Sequence, residues 1–311
     1  MYNNPIYLSV VVPCYNESSV LKEFNERIST ACQIYTTQGY EIIFVDDGSS
    51  DDTWLIIESY SRINKHIKGI SLSRNFGHSM ALTAGLDMCQ GQRILIIDAD
   101  LQDPPELLPE MMKALNDGAD VAYGKRTFRQ GETWFKRISA SLFYRILSFL
   151  SDTNLPKDTG DFRLLTRRVL NALISMPETS RYTRGMIAWT GFRQVPIKYV
   201  RQERFAGETH YTFKKMIDLA LNAILSFSIR PLRLAIYLGF IMLLTSICLI
   251  IYIIISYFYL QTVHGWASLA CILVTLQAVQ FLILGIIGEY VGRIYQECKN
   301  RPKYIIKEIT P

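Results

Sequence analysis

The chain lacks both Gly-x-Gly-x-x-Gly and Gly-x-x-x-x-Gly-Lys-Ser/Thr, so neither a dinucleotide fingerprint nor a P-loop is supported. Its six cysteines, Cys14, Cys32, Cys89, Cys248, Cys271 and Cys298, are scattered, with no Cys-x-x-Cys and no Cys/His spacing suited to zinc. Free thiols facing a reducing compartment are the expectation. No RNA- or DNA-binding motif occurs, and nucleic acid is not expected as a partner. No signal peptide precedes the first apolar run, so the first two-thirds of the chain is expected to stay in the cytoplasm. Charge is missing altogether from residues 234–260 and again from residues 266–288.

Of the 311 residues, 49% are hydrophobic, which is high for a purely soluble protein, and the excess lies near the C-terminus. The net charge is a modest +5, but basic residues cluster beside apolar segments, which suits an anionic lipid surface. The first part of the chain alternates β-rich runs with helical patterns. Ile6 to Cys14 reads as a strand broken by Pro13-Cys14-Tyr15-Asn16-Glu17, with Ser18 capping a helix to about Thr37. Tyr40 to Asp46, Lys68 to Ser73, Ile94 to Ile97 and Asp120 to Tyr123 supply further strands. A helical pattern runs from Thr53 to Ile63, and another follows Arg74-Asn75-Phe76-Gly77-His78 and reaches about Gln90. Such alternation implies parallel βαβ units, in which ligands bind beyond the carboxyl ends of the strands.

The central stretch is Ile94-Leu95-Ile96-Ile97-Asp98-Ala99-Asp100-Leu101-Gln102-Asp103-Pro104-Pro105-Glu106. Four β-favouring residues run into Asp-Ala-Asp, and a strand lasting through Asp100 would put Asp98 and Asp100 on one face. Asp103 before Pro104 reads as an N-cap with a first-turn proline. Two carboxylates held together repel, and a divalent cation is the usual remedy; a merely acidic loop is the bland alternative. Asn16 and Glu17, Asp46 and Asp47, Arg74 and Asn75, and Asp98 and Asp100 all fall after strands, hence at one rim. Ser49, Asp51 and His78 read equally well as turn or capping residues.

Together, Val11-Val12-Pro13-Cys14-Tyr15-Asn16-Glu17, Val45-Asp46-Asp47-Gly48-Ser49-Ser50-Asp51, Ser73-Arg74-Asn75-Phe76-Gly77 and Asp98 to Pro105 resemble family 2 inverting glycosyltransferases of the GT-A fold. More narrowly they resemble the polyisoprenyl-phosphate glycosyltransferases, the group of dolichyl-phosphate mannose synthases and bactoprenol glucosyltransferases. The resemblance implies an α/β, Rossmann-like GT-A domain whose Pro13, Tyr15, Glu17, Asp47 and Asp98 bind a nucleotide sugar. It also implies that Asp98 and Asp100 form the metal-and-diphosphate motif for Mg2+ or Mn2+. An inverting transfer needs one carboxylate on the acceptor side. The resemblance points to Gly160-Asp161-Phe162-Arg163-Leu164, so Asp161 is the expected base, with Asp158 as rival. An ion pair of Asp161 with Arg163 is the structural alternative.

Residues 133–150 place Trp134, Ile138, Leu142, Ile146 and Leu150 at helical spacing, fitting an interfacial amphipathic helix or one packed on the core. Arg126, Arg201 and Arg204 are candidate phosphate- or acceptor-binding residues, since guanidinium forks suit phosphate oxygens. Gly207-Glu208-Thr209-His210 stands where the family usually has Gly-Glu-Ser-Lys, so His210, mostly neutral at pH 7, replaces a basic residue. Lys214 and Lys215 open a second amphipathic stretch, residues 213–229, suited to the headgroup region.

The two uncharged runs each suffice to cross a bilayer, which needs about 20 residues. Arg230 and Arg233 precede the first; Arg293, Lys299, Arg301 and Lys303 follow the second, and the turn between them has neither lysine nor arginine. The positive-inside rule then puts both ends in the cytoplasm. Gly285, Gly288 and Gly292 would let helices approach closely, in a hairpin or a homo-oligomer. The expected organisation is a cytoplasmic catalytic domain over residues 1–212, a juxtamembrane helix over 213–229, two transmembrane helices within 230–292 and a cytoplasmic tail over 293–311. The expected function is inverting transfer of one sugar, from UDP-glucose or UDP-N-acetylglucosamine, to undecaprenyl or a similar polyisoprenyl phosphate at the membrane. A processive polysaccharide synthase is disfavoured because none of Trp54, Trp134, Trp189 and Trp266 sits in Gln-x-x-Arg-Trp. A non-catalytic nucleotide-binding scaffold is disfavoured by the intact aspartates.

Overall fold

The apolar runs become strands β1 (Ile6–Cys14), β2 (Gly39–Asp46), β3 (Ile67–Leu72), β4 (Arg93–Ile96), β5 (Val121–Arg126), β6 (Thr159–Thr166), β7 (Gln194–Tyr199) and β8 (Ile306–Ile309). They pair into an eight-stranded sheet ordered β7-β5-β6-β4-β1-β2-β3-β8. The helices are α1 (Leu21–Tyr35), α2 (Thr53–Ile63), α3 (His78–Met88), α4 (Leu108–Asn116), α5 (Arg167–Ser175), α6 (Thr183–Trp189) and α7 (Trp266–Cys298). This computed structural model describes residues 6–35, 39–126, 159–179, 181–200 and 265–310, and scattered positions between 232 and 255.

The expected βαβ core is present. β1 pairs in parallel with both β2 and β4, and β2 with β3. Because strand side chains alternate between faces, Val10 and Val12 of β1 enter one apolar layer, with Phe24, Ile28 and Phe44, while Val11 enters the other, with Leu82, Ile94 and Leu173. Helices therefore cover both faces, as the near-continuous apolar runs require.

Several local expectations are corrected. β1 has the expected bounds, Ile6–Cys14, with the bend starting at Tyr15, and only the place of Pro13 differs: it lies inside the strand beyond Val11, the last residue of β1 paired with β4, so a missing N–H is tolerated there. Ser18 is not the cap of α1: the chain turns through Glu17–Val20 and the helix begins at Leu21, while the Ser18 N–H donates to Asp51 Oδ2 at 3.2 Å. β4 ends at Ile96, and the backbone turns at Ala99 and Asp100, with Leu101 at φ 59° and its side chain buried. Strand periodicity therefore does not set the Asp98/Asp100 arrangement; burying Leu101 in the core does. Asp103 is not an N-cap. Its buried carboxylate accepts from the Tyr199 hydroxyl of β7, and the helix enters one step later through a 3-10 turn, Pro105–Leu107.

The C-terminal segment is no free tail. β8 adds to the sheet edge antiparallel to β3, with Ile70 opposite Ile309. Gly69 N–H donates to Thr310 Oγ1 at 2.8 Å, and the Tyr304 hydroxyl donates to Asp87 at 2.9 Å. Short, polar Ile306-Lys307-Glu308-Ile309 carries little strand signal, and only its distant partner makes it one.

Among the described residues one helix is long and apolar enough to cross a membrane, the Thr275–Cys298 part of α7, with mean hydropathy 1.3 and none of its apolar window buried. α7 is continuous over 33 residues, longer than the expected second span. The first span, residues 234–260, falls largely outside the described residues; its described positions are helical. The stretches 133–150 and 213–229 also lie outside them. Apart from the adjoining backbone of α7 itself and the glycines' chain neighbours, no described atom comes within 4 Å of a Cβ placed on Gly285, Gly288 or Gly292.

Candidate active site

The loops after β1, β2 and β3 are stitched together at the rim. Asn16 N–H donates to Ser49 Oγ at 2.9 Å, Ser50 N–H returns to Asn16 Oδ1 at 2.9 Å, and Glu17 N–H donates to Thr53 Oγ1 at 2.9 Å. Asn16 takes φ 55°, which its short polar side chain tolerates. Gly48 is obligatory: at φ 68°, an added Cβ would lie 2.5 Å from the Arg74 carbonyl carbon. Asp51 Oδ1 accepts from Thr53 N–H at 3.0 Å in the turn that leads into α2, whose N-cap position is Asp52, so it acts as a turn residue.

Asp46 and Asp47 are buried. Asp47 Oδ1 and Oδ2 accept from the N–H groups of Phe76 and Gly77 at 2.7 and 2.9 Å, so the carboxylate shapes the loop after β3. Burial pushes its carboxyl up, against those two donors. Pro13 is buried within β1, and Tyr15 stands half-exposed just beyond it. Glu17, Asp46, Asp51 and Asp98 share one locality: after burial, their charges push the Cys14 thiol further up.

β6 brings in the next group. Its antiparallel register sets Arg163 opposite Ile96, so Asp161, two residues before Arg163, reaches the same rim as Asp98, two residues after Ile96. Asp98 Oδ1 lies 2.9 Å from His78 Nε2 at the start of α3. Burial pulls the imidazole down, but the charge and hydrogen bond of Asp98, reinforced by Asp161, raise its pKa to about 9. His78 is therefore a cation at neutral pH. Asp100 Oδ1 accepts from Gln102 N–H at 3.1 Å.

Asp161 is gripped by Arg184 of α6, Nε to Oδ1 at 2.8 Å and Nη2 to Oδ2 at 2.7 Å. Burial alone would push this carboxyl up, but Arg184, with His78 and Arg163 behind it, holds it well below the usual carboxylate range. The expected partner Arg163 instead donates to Gly160 O at 3.0 Å. Burial lowers the Arg163 pKa to about 10.

The rim thus gathers Tyr15, Glu17, Asp47, Asp98, Asp100 and Asp161. Arg126 closes β5 opposite Tyr199 of β7. Asp158, Arg201, Arg204, Thr209, His210, Lys214 and Lys215 lie outside the described residues. Sequence reasoning missed Arg184, an arginine in a short helix that belongs to none of the recognised motifs, and undervalued His78. A surface hollow of about 240 Å³ lies elsewhere, lined by Glu23, Arg27, Ile34, Tyr35 and Glu106 among others, and holds none of the rim aspartates.

These acidic and cationic side chains lie beyond the carboxyl ends of parallel strands, where open α/β sheets bind their ligands. The family model for glycosyl transferase family 2 matches residues 9–174. The chain is 45% identical over 304 residues to the uncharacterized glycosyltransferase YkcC of Bacillus subtilis, covering 97% of this chain and 94% of that protein. It is 36% identical over 303 residues to the prophage bactoprenol glucosyl transferase homolog of Escherichia coli, covering 97% and 99%. Among solved structures, the mannosyltransferase PcManGT of Pyrobaculum calidifontis, in complex with GDP-Man and Mn2+, matches with a TM-score of 0.49 at 18% identity, over 72% of this chain and 64% of that one; that likeness adds nothing to the assignment. The chain belongs to glycosyl transferase family 2 and is a glycosyltransferase.

Proposed function

We propose that the chain transfers one sugar, with inversion, from a UDP-linked donor such as UDP-glucose or UDP-N-acetylglucosamine to a polyisoprenyl phosphate at the cytoplasmic face of the membrane. The observation that carries this reading is the attachment of a charged rim, with Asp98, Asp161, His78 and Arg184 together, to α7, a 33-residue helix whose apolar window has none of its residues buried. At about 1.5 Å per residue, α7 is about 50 Å long, more than a bilayer core of about 30 Å. The full-length relative named as a bactoprenol glucosyl transferase homolog supports the same acceptor class.

Nucleotide contacts fall to Pro13, Tyr15, Glu17, Asp47 and Asp98. A divalent cation, Mg2+ or Mn2+, fits Asp98 and Asp100, which offer hard oxygen donors. No described group of three or more His, Cys, Asp or Glu side chains stands ready as a complete cage. A cation here would therefore draw its remaining ligands from the donor diphosphate and water, the habit of Mg2+. When bound, it offsets the charge on the departing nucleoside diphosphate. Asp161 orients the acceptor phosphate or takes its residual proton, with Asp158 as the rival. Arg126, Arg201, Arg204 and His210 bind phosphate, and Lys214 and Lys215 meet the headgroup plane. Two spans anchor the domain as a multi-pass membrane protein, and their glycines pack a hairpin or a homo-oligomer.

The test is incubation of the purified full chain with a panel of radiolabelled nucleotide sugars, undecaprenyl phosphate and Mg2+ or Mn2+. One donor should yield a single-sugar lipid. A polymer, or no labelled lipid from any donor, would overturn the reading.

A further inference from the structure

We infer that Arg184 is a phosphoryl-binding residue held in reserve by Asp161, and that an incoming phosphate displaces the carboxylate and so releases Asp161. This rests on the proposed function and adds a residue and an order of events to it. The grip of Arg184 on Asp161 is a two-pronged guanidinium fork, 2.8 and 2.7 Å. The same fork fits two phosphate oxygens equally well. Arg184 is the solvent-side member of the pair, its side chain 27% exposed against 13% for Asp161, so a ligand can reach it without opening the core.

The surroundings favour an added anion. Two guanidinium groups, Arg184 and behind it Arg163, bear on the one carboxylate of Asp161. Arg163 is only 3% exposed, and its Nε has no hydrogen-bond partner among the described residues. A buried guanidinium nitrogen left without an acceptor is a cost of the present arrangement. At equal distance and dielectric a dianion attracts a guanidinium about twice as strongly as a carboxylate does. Exchange leaves Asp161 buried without that partner, so it goes together with uptake of a proton by the released carboxylate.

The exchange also gives Asp161 a use. Clamped by Arg184, it is too weak a base to take a proton near neutral pH. Freed into its buried setting, with phosphate as the partner of Arg184, it regains proton affinity. The reactive carboxylate is then exposed only when a phosphate is present. Two phosphoryl groups could fill the site, that of the acceptor lipid or that of the donor diphosphate.

Equilibrium titrations of the detergent-solubilised full chain with geranyl phosphate, and separately with UDP, distinguish these sources. Arg184→Gln should weaken the relevant ligand about tenfold. Asp161→Asn, which removes the competing charge but keeps the shape, should tighten it about fivefold. A shift confined to geranyl phosphate assigns the site to the acceptor, and one confined to UDP assigns it to the donor; either supports the inference. Affinities for both ligands within about twofold of wild type in both variants, or weaker binding of both to Asp161→Asn, would overturn it. If Arg184→Gln does not fold, the Asp161→Asn titration decides alone. In the transfer assay, Arg184→Lys should recover part of the KM lost in Arg184→Gln, which a purely structural tie would not produce. A wild-type protein that shows these binding shifts yet glycosylates no polyprenyl phosphate would remove the proposed function and leave the phosphoryl site standing.

Discussion

The sheet and α7 use the same residue types in opposite ways. Phe44, Ile42 and Leu95 are fully buried between strands and helices, whereas Leu273, Phe281, Leu282 and Ile294 on α7 expose 58%, 63%, 54% and 62% of their surface. A comparably apolar segment is thus satisfied by the protein itself in one region and by nothing described in the other. Hydrophobicity tells how much surface must leave water; only the surrounding structure tells what covers it. For α7, a continuous apolar helix joined to a sheet that has already closed its own core, lipid is the covering medium the proposed function requires.

The contrast can be broken most strongly by cutting side chains on both sides of it. Phe44→Ala should lower the unfolding free energy by about 3–5 kcal/mol, and Phe281→Ala, in detergent, by less than about 0.5 kcal/mol. Equal losses would mean that α7 packs on the domain. At the rim, Asp100→Asn should cut metal-dependent turnover at least about a hundredfold while circular dichroism stays unchanged; near-normal turnover would remove the metal role.

A smaller effect concerns acid. Because the folded Asp161 carboxyl is depressed, its contribution to stability is fully present above the ordinary value of about 3.9 and is lost as pH falls through the folded value. Arg184→Gln removes the strongest force holding it down, so the acid limb of the unfolding midpoint should move to higher pH. Superimposable curves from about pH 3 to 7 would show that the ion pair does not set it. Smallest of all, Thr310→Val strips the Gly69 N–H of its partner and should cost about 1–2 kcal/mol by urea unfolding, a test of whether β8 belongs to the domain.

The strands β1 to β4 and the rim aspartates were legible because each is announced locally, by an apolar run meeting turn residues. What stayed hidden depends on partners far along the chain. β8 becomes a strand through β3, Asp103 is buried by Tyr199, and Arg184 acquires meaning only beside Asp161. The Asp98/Asp100 turn was misread for a related reason. The packing of Leu101, a tertiary demand, overrode the extension that the preceding isoleucines favour.

The central claim is that the charged rim delivers a sugar to a phosphate in the bilayer. Its most direct test is to reconstitute the full chain in liposomes with undecaprenyl phosphate and the preferred labelled α-linked UDP-sugar, and to determine the anomeric configuration and sugar count of the lipid product. One β-linked sugar per lipid, absent with Asp161→Asn, is the predicted result. An α-linked sugar, a longer glycan, or label that never enters the lipid would contradict the account.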